Sequence, residues 1–222
     1  VLSIALSRVM EAGLLGIAVD EAHGGMGLGL LELCTLLEEI GRVVAPVHVF
    51  PTLVLAGLPI AELGTAEQKT RWLTTIASGE ALLTGTFGSG DAATPVTITA
   101  KRDTSGWTLT GTASMVAAAD LATRILVAAR VDNGIAIFLV DPQARGVSLT
   151  RNATSRGEPV FDLALANVVV PEADLLGGGT MPNARALDCI RAQATIATCA
   201  LQVGVSERAL ERVKTRIRPV QS

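Results

Sequence analysis

The stretch Ala81-LLTGTFGSG-Asp91 combines small glycine-rich backbone with three hydroxyl residues and a terminal acid. Because glycine lacks a Cβ atom, backbone amides in such a stretch can approach a phosphate group closely. The same composition is typical of a flexible loop that connects two strands. The sequence alone does not decide between these two interpretations, a phosphate or cofactor contact and a connecting loop.

Other candidate motifs offer less chemistry. Gly25-MGLG-Leu30 has the order Gly-x-Gly-x-Gly, without the strand–helix–strand unit and the acidic residue of a dinucleotide-binding motif. His23 and His48 are the only histidines, and neither lies beside Cys or Ser in a triad-like context, so nothing supports a Ser–His–Asp hydrolase. The cysteines are odd in number and widely spaced, which indicates a reducing cytoplasm and predicts neither a metal site nor a disulfide framework: Cys34, Cys189, Cys199.

Composition limits the class of protein. The chain has 222 residues, of which 49% are hydrophobic and 18% charged, with a mean hydropathy of +0.47. This apolar balance favours large buried subunit contacts. The net charge of −3 and the lack of a basic block argue against a nucleic-acid partner. Residues 43–61 are long enough to cross a membrane but contain three prolines and His48, so we expect a buried helix–turn–helix segment.

Helical patterns occupy the first part of the chain, to about residue 79. An apolar stripe with three- and four-residue steps predicts one helix, with Glu39 and Arg42 as solvated charges and Gly41 helping to end it. A later helix should begin at Thr65, because Gln68 follows at the spacing of a capping box, and should stop at Gly79. The stripe consists of Leu30, Leu33, Leu37 and Ile40.

Residues 80–178 change to short alternating segments separated by turn signals, which predict an antiparallel barrel or sandwich. The segments are 96–100, 106–110, 124–129, 135–140 and 160–170. Residues 183–214 return to a helical period with a narrow apolar stripe typical of a helix bundle: Leu187, Ile190, Ala194, Ala197, Leu201 and Val205. The predicted fold class is therefore α+β with several domains.

This order of elements, together with five motifs in sequence, resembles the acyl-CoA dehydrogenase family. The motifs are DEAHGG at 20–25, the helix start at 63–73, IFLVD at 137–141, VVVPEADLLG at 168–177 and the helix segment at 199–210. The resemblance implies an N-terminal α-helical domain (1–79), a middle antiparallel β-barrel (80–178) and the first helix of a C-terminal bundle (179–222). Family members continue through an Arg-x-Gln-Phe-Gly-x-Pro motif and three more helices, so we expect a truncated or partly unobserved chain.

The resemblance also implies FAD as cofactor and assigns positions along it. Thr84 aligns with a Thr that hydrogen-bonds the flavin ring, Ser89 and Gly90 with an inverted Gly-Ser pair, and Asp91 with the final acid, a candidate substrate contact. In a second flavin motif, Met115 stands where the family has a ring-packing Trp, and Ala117 where it has a Thr donor. Met offers no planar face and Ala no hydrogen bond, so we expect weak FAD binding by this chain alone.

The implied reaction is α,β-dehydrogenation, in which a carboxylate removes the α proton of an acyl-CoA thioester while a hydride passes to the flavin. Family members place that Glu in late C-terminal helices or just before an Arg that matches Arg191. Here the preceding residue is Ile190, and Asp188 is the nearest acid on the N-terminal side. Arg191 itself is either a cation for CoA or a member of a salt bridge.

Taken together, the resemblance favours the flavin-poor partner in a hetero-oligomeric acyl-CoA dehydrogenase, as in bacterial steroid side-chain enzymes. Its expected partners are an acyl-CoA, a homologous subunit and an electron-transfer flavoprotein or similar acceptor. Two alternatives remain: a self-sufficient homo-oligomeric dehydrogenase, and an acyl-CoA-binding or structural module without redox chemistry.

Overall fold

The structure, a computed structural model of the chain, describes residues 12–88, 96–103, 106–132, 134–154, 158–178 and 184–216. Helices come first, then strands, then one long helix, which confirms the predicted α+β order. The helices are α1 (Leu30–Val43), a π-helical segment (Phe50–Gly57) that continues into α2 (Leu58–Leu63), α3 (Ala66–Ala77) and α4 (Ala184–Arg216). Short 3₁₀ turns span Leu14–Gly16, Glu21–His23 and Glu172–Asp174. Within the described residues, no helix is both long and apolar enough to cross a bilayer.

The capping box that was predicted at the start of α3 is confirmed. The Thr65 hydroxyl accepts a hydrogen bond from the Gln68 amide at 3.2 Å, and the Gln68 side chain accepts one from the Thr65 amide at 3.1 Å. The amide group of Gln68 also donates to the carbonyl oxygens of Ala173 (2.9 Å) and Leu175 (2.8 Å). One polar side chain therefore starts a helix and joins it to the segment that follows the last strand.

In the part of the chain that the structure describes, seven strands form one curled sheet with the order β1-β4-β2-β3-β7-β6, and β5 pairs with β4. Most neighbours are antiparallel, as predicted, but β1 runs parallel to β4, and β2 meets β4 in a parallel bridge. The alternating sequence patterns missed β1 and also β6, none of whose residues is buried, and they placed the start of β2 three residues early. The strands are β1 (Leu83–Thr86), β2 (Thr99–Asp103), β3 (Gly106–Ala117), β4 (Arg124–Val131), β5 (Gly134–Val140), β6 (Val147–Asn152) and β7 (Val160–Val170).

The β4–β5 hairpin separates two apolar cores. Side chains alternate along both strands, so that Ile125 and Phe138 point into the curled sheet while Leu126 and Leu139 point toward the helices. The helix-side core also contains Leu187, Ile190 and Ala197 of α4, as the apolar stripe predicted. The hairpin is therefore buried on both faces.

Helices α1 and α4 cross at a pair of glycines. A Cβ atom on Gly204 would lie 1.8 Å from the carbonyl oxygen of Glu38, and one on Gly41 would lie 2.2 Å from that of Leu201. The prediction that Gly41 helps to end α1 was wrong, because the helix continues to Val43 and the glycine serves close backbone contact instead.

Arg42 lies beside this crossing and is not the solvated charge that its position predicted. Its side chain is 26% exposed, and its guanidinium binds carboxylates of both helices. The partners are Glu38 (3.6 Å), Glu39 (3.2 Å), Glu207 and Glu211 (3.0 Å). The charged network thus joins the same two helices that the glycines bring together.

We expect Gly204→Ala to destabilise the chain by about 1–3 kcal/mol, because the added methyl group overlaps the α1 backbone. Urea unfolding measures this change. Gly57→Ala is the matched control, since Gly57 has φ −58° in a helical segment and its nearest contact would be an ordinary 3.4 Å. Equal effects of the two substitutions would contradict the close crossing.

Candidate functional site

Strand β1 carries the first cofactor candidate. It lies between β4 and the π-helical segment, and Gly85 allows that approach because a Cβ atom there would be 2.3 Å from the Leu55 carbonyl oxygen. Thr84 is fully buried, and its register partner is Ile125, which belongs to the core of the curled sheet. The Thr84 hydroxyl has no hydrogen-bond partner among the described residues. A buried donor without an acceptor costs free energy that a polar ligand atom can recover.

The second candidate, Met115, lies on a bulge of β3. Pairing with β7 shifts register between Ala113 and Val116, and Met115 takes the left-handed φ of 62°. Its side chain is 63% exposed, while the next residue, Val116, is buried inside the curled sheet. Ala117 pairs with Val160 and offers no polar side chain. The bulge therefore presents an apolar, flexible thioether to the outside of the strand.

Arg191 of α4 reaches the carboxyl end of the β1 segment. Its guanidinium donates to the carbonyl oxygens of Phe87 (2.8 Å) and Gly88 (3.1 Å), and it pairs with Asp188 at 3.3 Å. These contacts commit most of the hydrogen-bond donors of Arg191, including those bound to the backbone of the glycine-rich stretch. Arg191 therefore ties the long helix to this stretch.

The two residues considered for the base position have opposite environments. Ile190 is 1% exposed and belongs to the helix-side core. The side chain of Asp188 is 70% exposed and bonded to Arg191 one turn along the helix. An apolar buried side chain and a solvated, paired carboxylate are both poor candidates for removing a carbon-bound proton.

Of the predicted site residues, Ser89, Gly90 and Asp91 lie outside the described residues. The structure brings the end of β1 and Arg191 together, and it places β1 in contact with β3. It leaves Thr84 inside the core and Met115 on the surface, so these two side chains have different environments.

His48, which the sequence patterns left without a role, is a buried group near this region. It lies at the entrance to the π-helical segment, is 9% exposed, and its Nε2 atom has no partner among the described residues. Burial lowers the pKa of His48, and the carboxylates of Asp120 and Glu158 oppose that change only in part. The single signal in the sequence was a histidine within an apolar run.

The residues fit a flavin ring in part. The unpartnered Thr84 hydroxyl can serve one polar atom of the ring, although a fully buried group is reached only if a covering side chain moves. Met115 supplies an exposed apolar contact, and Ala117 supplies no hydrogen bond. Among the described residues, no group of His, Cys, Asp or Glu side chains could hold a metal ion.

Residues 3–80 match the family model described as "Acyl-CoA dehydrogenase, N-terminal domain". The chain is 32% identical over 208 residues to the acyl-CoA dehydrogenase FadE27 of Mycobacterium tuberculosis, a match that covers 92% of this chain and 53% of that protein. The chain belongs to the acyl-CoA dehydrogenase family. It spans about half the length of the curated relatives that it matches.

Solved structures agree with this family assignment. A Tcur3481–Tcur3483 steroid ACAD is 37% identical with a TM-score of 0.85, and the match covers 100% of this chain and 59% of that one. The ChsE4–ChsE5 complex from Mycobacterium tuberculosis is 29% identical with a TM-score of 0.87, and the match covers 98% of this chain and 58% of that one. The helical and curled-sheet parts of this chain thus have the family fold.

We expect Thr84→Val to stabilise the isolated chain by about 1 kcal/mol, because it removes a buried hydroxyl without a partner. Thermal or urea unfolding measures the change. Thr65→Val is the matched control and should cost about 1 kcal/mol, since it makes the same chemical change at a helix cap. Loss of stability in both variants would mean that the Thr84 hydroxyl has a partner.

His48 should make stability depend on pH. Its pKa is lowered in the folded chain, so the unfolded chain takes up a proton first as the pH falls below about 6.5. The free energy of unfolding should therefore be highest above that pH and fall below it, by at most about 1.4 kcal/mol per pH unit. His48→Gln should flatten this part of the profile in urea titrations, and an unchanged slope would contradict the burial of a neutral imidazole.

Proposed function

We propose that this chain is a subunit of an FAD-dependent acyl-CoA dehydrogenase and supports the α,β-dehydrogenation of an acyl-CoA thioester. We further propose that it is the flavin-poor member of a pair of unlike subunits in lipid or steroid side-chain β-oxidation. The observation that carries this proposal is Ile190, a buried core residue at the position that the family resemblance assigns to a catalytic carboxylate.

FAD, when bound, accepts the hydride that leaves the β carbon of the acyl group. This chain contributes a hydroxyl at Thr84 and an apolar cover at Met115, and it lacks a donor at Ala117. In a site that excludes water, the polar edge of the flavin ring binds weakly when its atoms lack hydrogen-bond partners. The missing contacts therefore belong to the homologous subunit.

The contacts of Arg191, the candidate cation for CoA, indicate the same division of roles between the two subunits. Arg191 donates hydrogen bonds to Phe87, Gly88 and Asp188, so it orders the backbone of the glycine-rich stretch. A guanidinium that is already paired in this way attracts a CoA phosphate less than a free one does. The proton-abstracting carboxylate and the main CoA cation are assigned to the unlike subunit.

One observation supports pairing with another subunit. The related structures ChsE4–ChsE5 and Tcur3481–Tcur3483 each carry the names of two different chains. We propose an electron-transfer flavoprotein or a similar protein as the separate electron acceptor.

Visible absorbance tests this proposal. The chain purified alone should show no flavin absorbance bands. The complex obtained by co-expression with the homologous subunit that we propose as its partner should show them. In the lone chain, Met115→Trp together with Ala117→Thr should increase retained FAD, because the pair restores a planar face and a donor.

Val169→Trp is the matched control, since it adds the same ring at an exposed apolar position of β7 and should not retain FAD. Flavin bound firmly by the wild-type chain alone would contradict the flavin-poor assignment and favour a self-sufficient dehydrogenase. Absence of flavin from both samples would favour an acyl-CoA-binding module without redox chemistry.

A further inference from the structure

One carboxylate faces the bulge that carries Met115. Ala113 pairs with Leu163, and Val116 pairs with Phe161, so two residues of β3 lie opposite the single residue Asp162 of β7. A bulge of this kind leaves backbone groups without ladder partners. Asp162 supplies the missing acceptor, because its Oδ1 atom accepts the Met115 amide at 3.4 Å.

The carboxylate is held by a third strand as well. Asn152, at the end of β6, donates its side-chain amide to the same Oδ1 atom at 2.8 Å. This bond, with smaller contributions from the Met115 amide and the Ser114 hydroxyl, lowers the pKa of Asp162 despite the opposing effect of burial. The carboxylate is therefore ionised at neutral pH and connects β3, β7 and β6 at one point.

The bulge needs such support because its geometry is unfavourable. Met115 has a φ of 62°, in the left-handed region that side chains other than glycine rarely adopt. That conformation costs about 1–2 kcal/mol and persists only when the surroundings hold it. The Asp162 carboxylate accepts the Met115 amide at 3.4 Å and is itself held by Asn152 at 2.8 Å, so it supports this backbone conformation.

We propose that Asp162 is a positioning residue that fixes the Met115 bulge and thereby directs the thioether toward a planar aromatic ligand, the flavin ring of the assembled enzyme. The identity of the ligand rests on the proposed function, whereas the stabilisation of the Met115 bulge by Asp162 does not. Thioether sulfur makes favourable contacts with aromatic rings, and an unbranched side chain adapts to the space that a Trp fills elsewhere in the family. The backbone of the bulge thus restricts where the flexible Met115 side chain can lie.

The stabilisation of the Met115 bulge by Asp162 can be tested in the chain alone by NMR of ¹³C-labelled methionine methyl groups. The chain has 4 methionines, and Met115→Leu identifies the Met115 signal by its disappearance. Asp162→Ala should shift or broaden the Met115 signal and leave that of Met26 in place. Asp132→Ala, at an exposed carboxylate of the β4–β5 turn, is the matched control and should change neither. An unmoved Met115 signal in a folded Asp162→Ala chain would overturn the proposal.

The cofactor role is tested by FAD affinity in the complex with the homologous subunit. Asp162→Ala should weaken FAD binding by about tenfold, the loss expected for one charge-assisted contact. Combined with Met115→Ala, it should cost no more than Met115→Ala alone, because Asp162 acts through Met115. Additive losses would overturn the positioning role.

The two possible failures are distinguishable. A wild-type complex without flavin contradicts the proposed function and, with it, the ligand assigned to Met115. A flavin-bound complex whose affinity is indifferent to Asp162 contradicts only the positioning role. Asp162→Asn adds a stringent comparison, since it keeps the size of the side chain but removes the charge that holds both amide donors.

Discussion

Both faces of the β4–β5 hairpin are buried, and the parts of the candidate site depend on that hairpin. Its outer side chains, such as Leu126 and Leu139, form one core with α1, α3 and α4, while Ile125 and Phe138 fill the curled sheet. Strand β1, which carries Thr84, pairs directly with β4. Apolar burial on two sides thus fixes where the helices, β1 and the start of the glycine-rich stretch meet.

Polar contacts then refine this arrangement at a few points. Gln68 joins α3 to the segment after β7, Arg42 joins α1 to α4, and Arg191 joins α4 to the end of β1. Each of these side chains satisfies partners on two elements, so its removal leaves unpaired groups on both. The helices and the curled sheet match the family fold, whereas Ile190 and Ala117 are apolar at positions where the family resemblance implies a carboxylate and a hydrogen-bond donor.

Periodicity predicted most of the fold because a helix or strand that is buried on one face has apolar residues at regular spacing in its sequence. The α4 stripe through Leu187 and Ile190 and the cap at Thr65 are examples of such local signals. Strand β6 was not predicted because none of its residues is buried. The role of Gly41 depends on contact with α4, and the bulge at Met115 depends on pairing with β7, so no local pattern predicts them.

In the proposed assembly, Thr84 and Met115 form part of a flavin site that an unlike subunit completes. A high-resolution structure of the flavin-loaded complex with the homologous subunit would show whether they do. We expect isoalloxazine density beside Thr84 and Met115 of this chain, with the catalytic carboxylate contributed by the other subunit. Density for the ring that contacts neither residue, or a carboxylate of this chain at the substrate α carbon, would contradict this proposal.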